Sequence, residues 1–207
     1  PYPSGFKRTN IISETKNSFI KLENESPNSN IETENFALSG RIMSLRIMGK
    51  ATFFDIQDKS GKIQCFGREN NLEEKYEIFQ YLDIGDIVGV TGPIGRTRRG
   101  EISVQLKDVI LLTKSIRPLP DKWSGLKDIE LRYRQRYLDL ISNQKAYSNA
   151  IIRPEIIKSI REFMSKKGFI EVETPILVPV AAGAQARPFQ TFHNSLDRNL
   201  YLSLIHI

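Results

Sequence analysis

Between Phe36 and Thr113 the apolar residues recur at every second position, interrupted once by a stretch with helical spacing. A period of two sends successive side chains to opposite faces of an extended chain. A chain patterned this way is held to a small sheet with one apolar face. Phe36–Met48 reads as a long strand, with Gly40 marking a bulge or bend. Ala51–Gln57 is a second strand, Asp58-Lys59-Ser60-Gly61 a turn, and Lys62–Phe66 a third strand. In Asn71–Leu82 the period changes, and Leu72, Tyr76 and Phe79 fall on one helical face. Asp86–Thr91 returns to alternation. The turn Arg96-Thr97-Arg98-Arg99-Gly100 then leads to a last strand, Glu101–Leu106, extended by Val109–Leu112.

Three strands, a helix and two strands is the order of the OB-fold, a five-stranded barrel that binds oligonucleotides on one face. In the second strand Thr52, Phe54 and Ile56 point one way, and Ala51, Phe53, Asp55 and Gln57 the other. With the first set in the core, Phe53 is an aromatic on a polar surface. A base stacked on such a ring contributes ~1–3 kcal/mol to single-strand binding. In the third strand Ile63 and Cys65 face inward, and Lys62, Gln64 and Phe66 outward. Gln64 is then expected beside Phe53, its amide offering a base edge both a donor and an acceptor. Arg46 would add a second hydrogen-bonding arm. The competing reading puts Phe53 in the core and Gln64 in solvent. The three arginines of the 96–100 turn either follow a phosphate backbone or form a solvated tip. Thirty Lys and Arg against twenty-four Asp and Glu give a net charge of +6, which agrees with a polyanionic partner without requiring one.

Elsewhere the pattern is weaker. Residues 1–33 read as irregular, with a loop over Asn24–Asn30. Ile116–Asp128 carries Pro118, Pro120 and Gly125 and reads as a linker, followed by a charged helix over Ile129–Ile141. In Arg132–Leu140 cations alternate with tyrosines, which reads as a charged face with packed tyrosines more readily than as a site. From about Ala146 a new domain begins. Ile156, Ile160, Phe163 and Met164 sit at helical spacing, and Gly168 is the natural C-cap. Phe169–Thr174 alternates as a strand that Pro175 ends. Pro154 would kink its helix or mark the first turn. The small residues around Gly183 allow close backbone approach by a ligand, or form a surface loop. The single cysteine, Cys65, excludes an internal disulfide and a cysteine metal cluster, and His193 and His206 are too few for a zinc site. The longest apolar run, Val109–Leu112, is far short of the ~18 residues of a membrane helix. Pro1–Phe6 has no apolar signal core and no initiator Met, so a processed start and a reducing compartment are expected.

Several tracts together resemble the class II lysyl-tRNA synthetases. Gly40-Arg41-Ile42-Met43, Arg46-Ile47-Met48-Gly49-Lys50 and Phe54-Asp55-Ile56-Gln57-Asp58 look like that family's barrel. Arg117-Pro118-Leu119-Pro120-Asp121-Lys122 and Arg134-Gln135-Arg136-Tyr137-Leu138-Asp139-Leu140 are more specific. The related aspartyl and asparaginyl enzymes usually lack the Gln-Arg form. Lys167–Pro175 resembles motif 1 of class II synthetases, and Ala186-Arg187-Pro188-Phe189 with Thr191–Asp197 is lysyl-like. The chain departs from the pattern at Ala181-Ala182, where the family often has Pro-Gly, and at Phe192, where it often has His.

The resemblance implies that the barrel reads the tRNA anticodon through Arg46, Phe53, Gln64 and Glu101. It implies that Gly183 lies beside the amino-acid substrate, and that motif 1, from Gly168 to Pro175, builds a homodimer interface. The implied division is an irregular segment over 1–33, an OB-fold over 34–114, a linker over 115–145 and the truncated opening of an antiparallel-sheet catalytic domain over 146–207. The implied activity is ATP- and Mg²⁺-dependent charging of tRNA-Lys in the cytoplasm. The groups that hold ATP and metal are expected beyond this chain, which alone would at most bind the anticodon. An aspartyl- or asparaginyl-type fragment and a stand-alone OB-fold binder are the alternatives. Leu202–Ile207 matches the translation of a common sequencing adapter and is expected to be read-through, which leaves His206 without a role.

Overall fold

The computed structural model describes residues 5–25, 33–97, 99–120, 125–181 and 187–203. The chain divides into two compact units, residues 1–143 and 144–207.

In the first unit, β1 (Phe36–Met48), β2 (Ala51–Asp58) and β3 (Gly61–Arg68) form an antiparallel meander. The inward residues Leu38, Ile42, Thr52, Phe54, Ile56, Ile63 and Cys65 are all buried, as the alternation requires. A short helix α2 (Glu69–Leu72) and a 3₁₀ segment (Glu73–Gln80) then close one end of the core with Leu72 and Phe79. Most of what reads as a helix is thus the tighter 3₁₀ form. Tyr76 packs edge-on against Phe79 with ring centres 5.1 Å apart, and its hydroxyl meets Thr52 Oγ1 at 2.8 Å.

The chain continues as β4 (Ile87–Gly92), β5 (Ile94–Arg96), β6 (Ile102–Gln105) and β7 (Asp108–Thr113). β4 pairs with β1, and β6 runs parallel to β3, so the sheet is mixed. The strand order is β5-β6-β3-β2-β1-β4-β7. This is the OB-fold progression, but the ladder is open where a closed five-stranded barrel was expected. The reason lies in the last two strands of the reading. After the first of these the chain turns at Pro93 into β5, a strand the reading lacks, and the second divides at Leu106-Lys107 into β6 and β7, so that β5 and β6 lie on one edge of the sheet and β4 and β7 on the other. Only isolated backbone bonds cross the division: Gln105 N donates to Pro93 O and Lys107 N to Thr91 O, each at 2.8 Å. The bulge in β1 also lies further along than expected, between Ile42 and Ser44. Gly40 instead admits the neighbouring backbone, since a Cβ there would stand 2.9 Å from Gln57 O.

Residues 1–33 are not wholly irregular. Helix α1 (Ile12–Glu25) buries Ile12, Thr15 and Phe19 against the sheet core. The expected helix over 129–141 is two, α3 (Ile129–Arg134) and α4 (Arg136–Ser142), broken at Gln135. Asp139 is buried between them and accepts from Arg132 Nε at 2.9 Å and Arg136 Nη1 at 2.5 Å. With the guanidiniums turned to Asp139, the tyrosines point outward. Tyr133 is 74% and Tyr137 57% exposed, against the expectation that they pack.

The second unit opens with α5 (Gln144–Lys166), and Pro154 lies within it. Gly168, at φ +85°, ends the helix. Its N–H bonds Ser165 O at 3.0 Å and the Phe169 N–H bonds Met164 O at 3.1 Å, the paired bonds of a Schellman cap. Residues 169–175 form no strand, contrary to the reading. A strand needs a neighbour for its backbone groups, and none of the described residues pairs with this segment. A small antiparallel sheet follows, β8 (Leu177–Val178), β10 (Arg198–Leu202) and β9 (Gln190–His193) in that order.

Candidate nucleic-acid interface

The outward face of β1, β2 and β3 carries the residues that alternation singled out. Phe53 is opposite Arg46 on β1 and opposite Phe66 on β3. The two phenyl rings stack with centres 4.6 Å apart and planes 25° from parallel. Arg68 lies over the Phe66 ring, 5.1 Å from its centre. Each ring is half-buried, which leaves an aromatic surface beside cations on an otherwise polar face. The reading that put Phe53 in the core does not hold.

Gln64 is opposite Asp55, one step along the same face from Phe53. Its Nε2 donates to Glu101 Oε2 at 3.0 Å. Glu101 is delivered by the β5–β6 hairpin, whose second strand lies alongside β3 and pairs Ser103 with Gln64. The structure thus brings Gln64 and Glu101 into contact across 37 residues of sequence. Tying one N–H to a carboxylate fixes the amide and leaves its carbonyl and second N–H for a base edge. Asp55 is engaged in turn, accepting from Ser44 Oγ at 2.7 Å. Arg46 is exposed, and among the described residues its side chain has no polar partner.

The basic turn divides. Arg96 is paired with Glu23 of α1, Nε to Oε1 at 2.5 Å and Nη2 to Oε2 at 2.7 Å, and also donates to Gly100 O. Glu23 is held below the usual carboxylate range by that hydrogen bond, which outweighs the opposing effect of burial, with a lesser contribution from the charge of Arg96. Arg96 is therefore not free to follow phosphates. Arg99 is exposed, and Arg98 lies outside the described residues.

Sequence reasoning missed Phe66 as the partner of Phe53. The signal was present, since counting back equally from the turn Lys59-Ser60 sets the two rings opposite. It missed Glu23 because α1 itself was missed. Gly183 and His206 lie outside the described residues. His193 Nδ1 accepts from Leu196 N at 3.2 Å and caps a single turn. Among the described residues no group of three or more His, Cys, Asp or Glu could hold a metal ion. Among them, too, no helix is long and apolar enough to cross a membrane.

Comparison with known proteins agrees with this geometry. Residues 36–112 match the family described as OB-fold nucleic acid binding domain, and residues 128–205 match tRNA synthetases class II (D, K and N). Lysine–tRNA ligase of Carboxydothermus hydrogenoformans is 50% identical over 205 residues, which is 99% of this chain and 40% of that protein. The Moorella thermoacetica lysine–tRNA ligase is 49% identical with the same coverage. Lysine–tRNA ligase of Legionella pneumophila is 46% identical over 98% of this chain and 40% of its own length. The chain thus spans about two fifths of the length of these relatives.

Proposed function

We propose that this chain belongs to the lysine–tRNA ligase family of class II synthetases and that its open-sheet OB domain binds the anticodon loop of tRNA-Lys. The observation that carries this is the outward face itself. It presents the half-buried Phe53 ring on β2, flanked by Arg46 directly opposite on β1 and by the fixed Gln64 amide one step along on β3. One anticodon base stacks on Phe53. Gln64, oriented by Glu101, hydrogen-bonds a base edge, and Arg46 binds a phosphate or a second base edge.

The division of labour follows. Residues 34–114 read the anticodon, 115–145 link, and 146–207 open the catalytic domain. Gly183 lies beside the amino acid, and the stretch from Gly168 to Pro175 contributes to a homodimer interface. The whole enzyme joins lysine to ATP as lysyl-adenylate, releasing pyrophosphate, and transfers the lysyl group to tRNA-Lys in the cytoplasm. ATP and Mg²⁺ bring phosphate leaving-group and charge-neutralising chemistry.

The test is binding of a lysine anticodon stem-loop. Phe53→Ala is expected to weaken it by about 1–3 kcal/mol, the contribution of one stacked base. Gln64→Ala is expected chiefly to relax base choice. If both variants bind like the parent, the assignment of this face is wrong.

A further inference from the structure

Helix α1 is fastened at both ends to loops that flank the reading face. At its start, Ile12 N donates to Asp58 Oδ2 at 3.0 Å and Ser13 N to Ser60 Oγ at 2.9 Å, both on the β2–β3 turn. Along its first two turns Ile12, Thr15 and Phe19 are buried. Near its end, Glu23 grips Arg96 with both carboxylate oxygens. Arg96 passes the constraint on by donating to Gly100 O, in the turn that Gly100 makes at φ +82°. The next residue is Glu101, whose N–H bonds Thr97 Oγ1 at 3.1 Å and whose carboxylate holds Gln64. A continuous set of contacts therefore runs from α1 to the base-reading amide.

We propose that Glu23 is a positioning residue for base recognition, acting through Arg96 and the 97–100 turn to fix Glu101 and hence Gln64. This rests on the reading of the face as the anticodon site. The pair is half-exposed, with Arg96 at 42% and Glu23 at 30% of side-chain surface. Ion pairs in such settings contribute little to overall stability. A planar guanidinium gripping two oxygens does, however, define an orientation. Its effect belongs in discrimination between bases, where the placement of one amide decides, and not in the melting temperature or in stacking on Phe53.

The experiment compares the whole chain with Glu23→Gln, Arg96→Gln and the exchanged pair Glu23→Arg/Arg96→Glu. Each is titrated with a stem-loop bearing UUU and with loops carrying one cytosine in place of a uridine. Phe53→Ala and Gln64→Ala serve as references, and thermal melting is followed in parallel. Each single variant is expected to lose about 3- to 5-fold in discrimination, the scale of one exposed ion pair. Affinity for UUU and the melting temperature should stay near the parent values. The exchanged pair restores the ion pair but has no donor for Gly100 O, so its discrimination should stay near that of Arg96→Gln. Parent-like discrimination in Glu23→Gln, while Gln64→Ala loses it, would overturn the proposal and leave the anticodon reading standing. So would a loss in Glu23→Gln that is matched by a drop in melting temperature, or parent-like discrimination in the exchanged pair. If Phe53→Ala and Gln64→Ala also bind and discriminate like the parent, the anticodon reading fails and the role of Glu23 falls with it.

Discussion

Asp86 has no exposed surface, yet it carries a carboxylate. It is held by three donors: Asp83 N and Lys114 Nζ at 2.8 Å, and Ser115 N at 2.7 Å. These bonds fix the chain where β7 leaves the sheet. Asp86→Ala would strand two partly buried N–H groups and a partly covered ammonium. Removing one partner from such an arrangement costs about 2–4 kcal/mol. The expected result is a lower urea midpoint with an unchanged slope, and Asp86→Asn should lose less because its amide oxygen still accepts. Gly92 is as tightly constrained by space. A Cβ there would stand 1.9 Å from Gln105 O, a backbone atom that no rotamer change can move aside. Gly92→Ala must push β4 and β6 apart, at a cost of about 3 kcal/mol or more. A melting curve like the parent's would show that the division between the two strand pairs is looser than drawn.

Among the elements, α1 shows why some of the fold is legible and some is not. Strict alternation in β1, β2 and β3 places Phe54, Ile56, Ile63 and Cys65 inside, and the face with Phe53 and Gln64 follows from the same period. Helix α1 buries Ile12, Thr15 and Phe19 in a sequence otherwise rich in Ser, Asn, Lys and Glu. Two buried apolar residues about two turns apart are too few to stand out from a polar segment. Its anchors lie far away in sequence, 46 residues from Ile12 to Asp58 and 73 from Glu23 to Arg96, and no local pattern encodes such pairings. The strand expected over 169–174 fails for the complementary reason. Its alternation is real, but pairing requires a neighbour. Asp58 also makes α1 sensitive to acid. Burial raises its pKa, but hydrogen bonds from Ser60, Ile12 and Gly61 outweigh this and leave it below the usual aspartate value. A depressed carboxylate stabilises the fold above its unfolded pKa and ceases to do so as pH falls through the folded one. Release of α1 is therefore expected below about pH 4. Hydrogen exchange at the amides of Ile12 and Ser13 should accelerate there relative to β2. In Asp58→Asn the same amides should exchange faster already at pH 7 and respond less to acid.

Across the whole molecule the two units differ in how they treat apolar surface. Unit 1–143 buries a continuous core beneath its sheet. In unit 144–207, Ile151, Ile152, Ile156, Ile160 and Phe163 of α5 are all about half exposed, and Phe169, Ile170 and Val172 more so. An exposed apolar surface of that extent favours association. The chain should therefore self-associate as concentration rises, and more strongly in a salting-out salt such as sulfate, which favours apolar burial. Sedimentation across a concentration series measures this directly. Ile160→Glu with Phe163→Glu places two charges in the middle of the α5 face and should shift the population toward monomer. The face proposed to bind nucleic acid is made by residues of the other unit, so stem-loop affinity should be unchanged in the same variant. A parent chain that stays monomeric throughout the series would show that the α5 face does not drive association. A variant that becomes monomeric but loses RNA binding would show that binding depends on the assembled form.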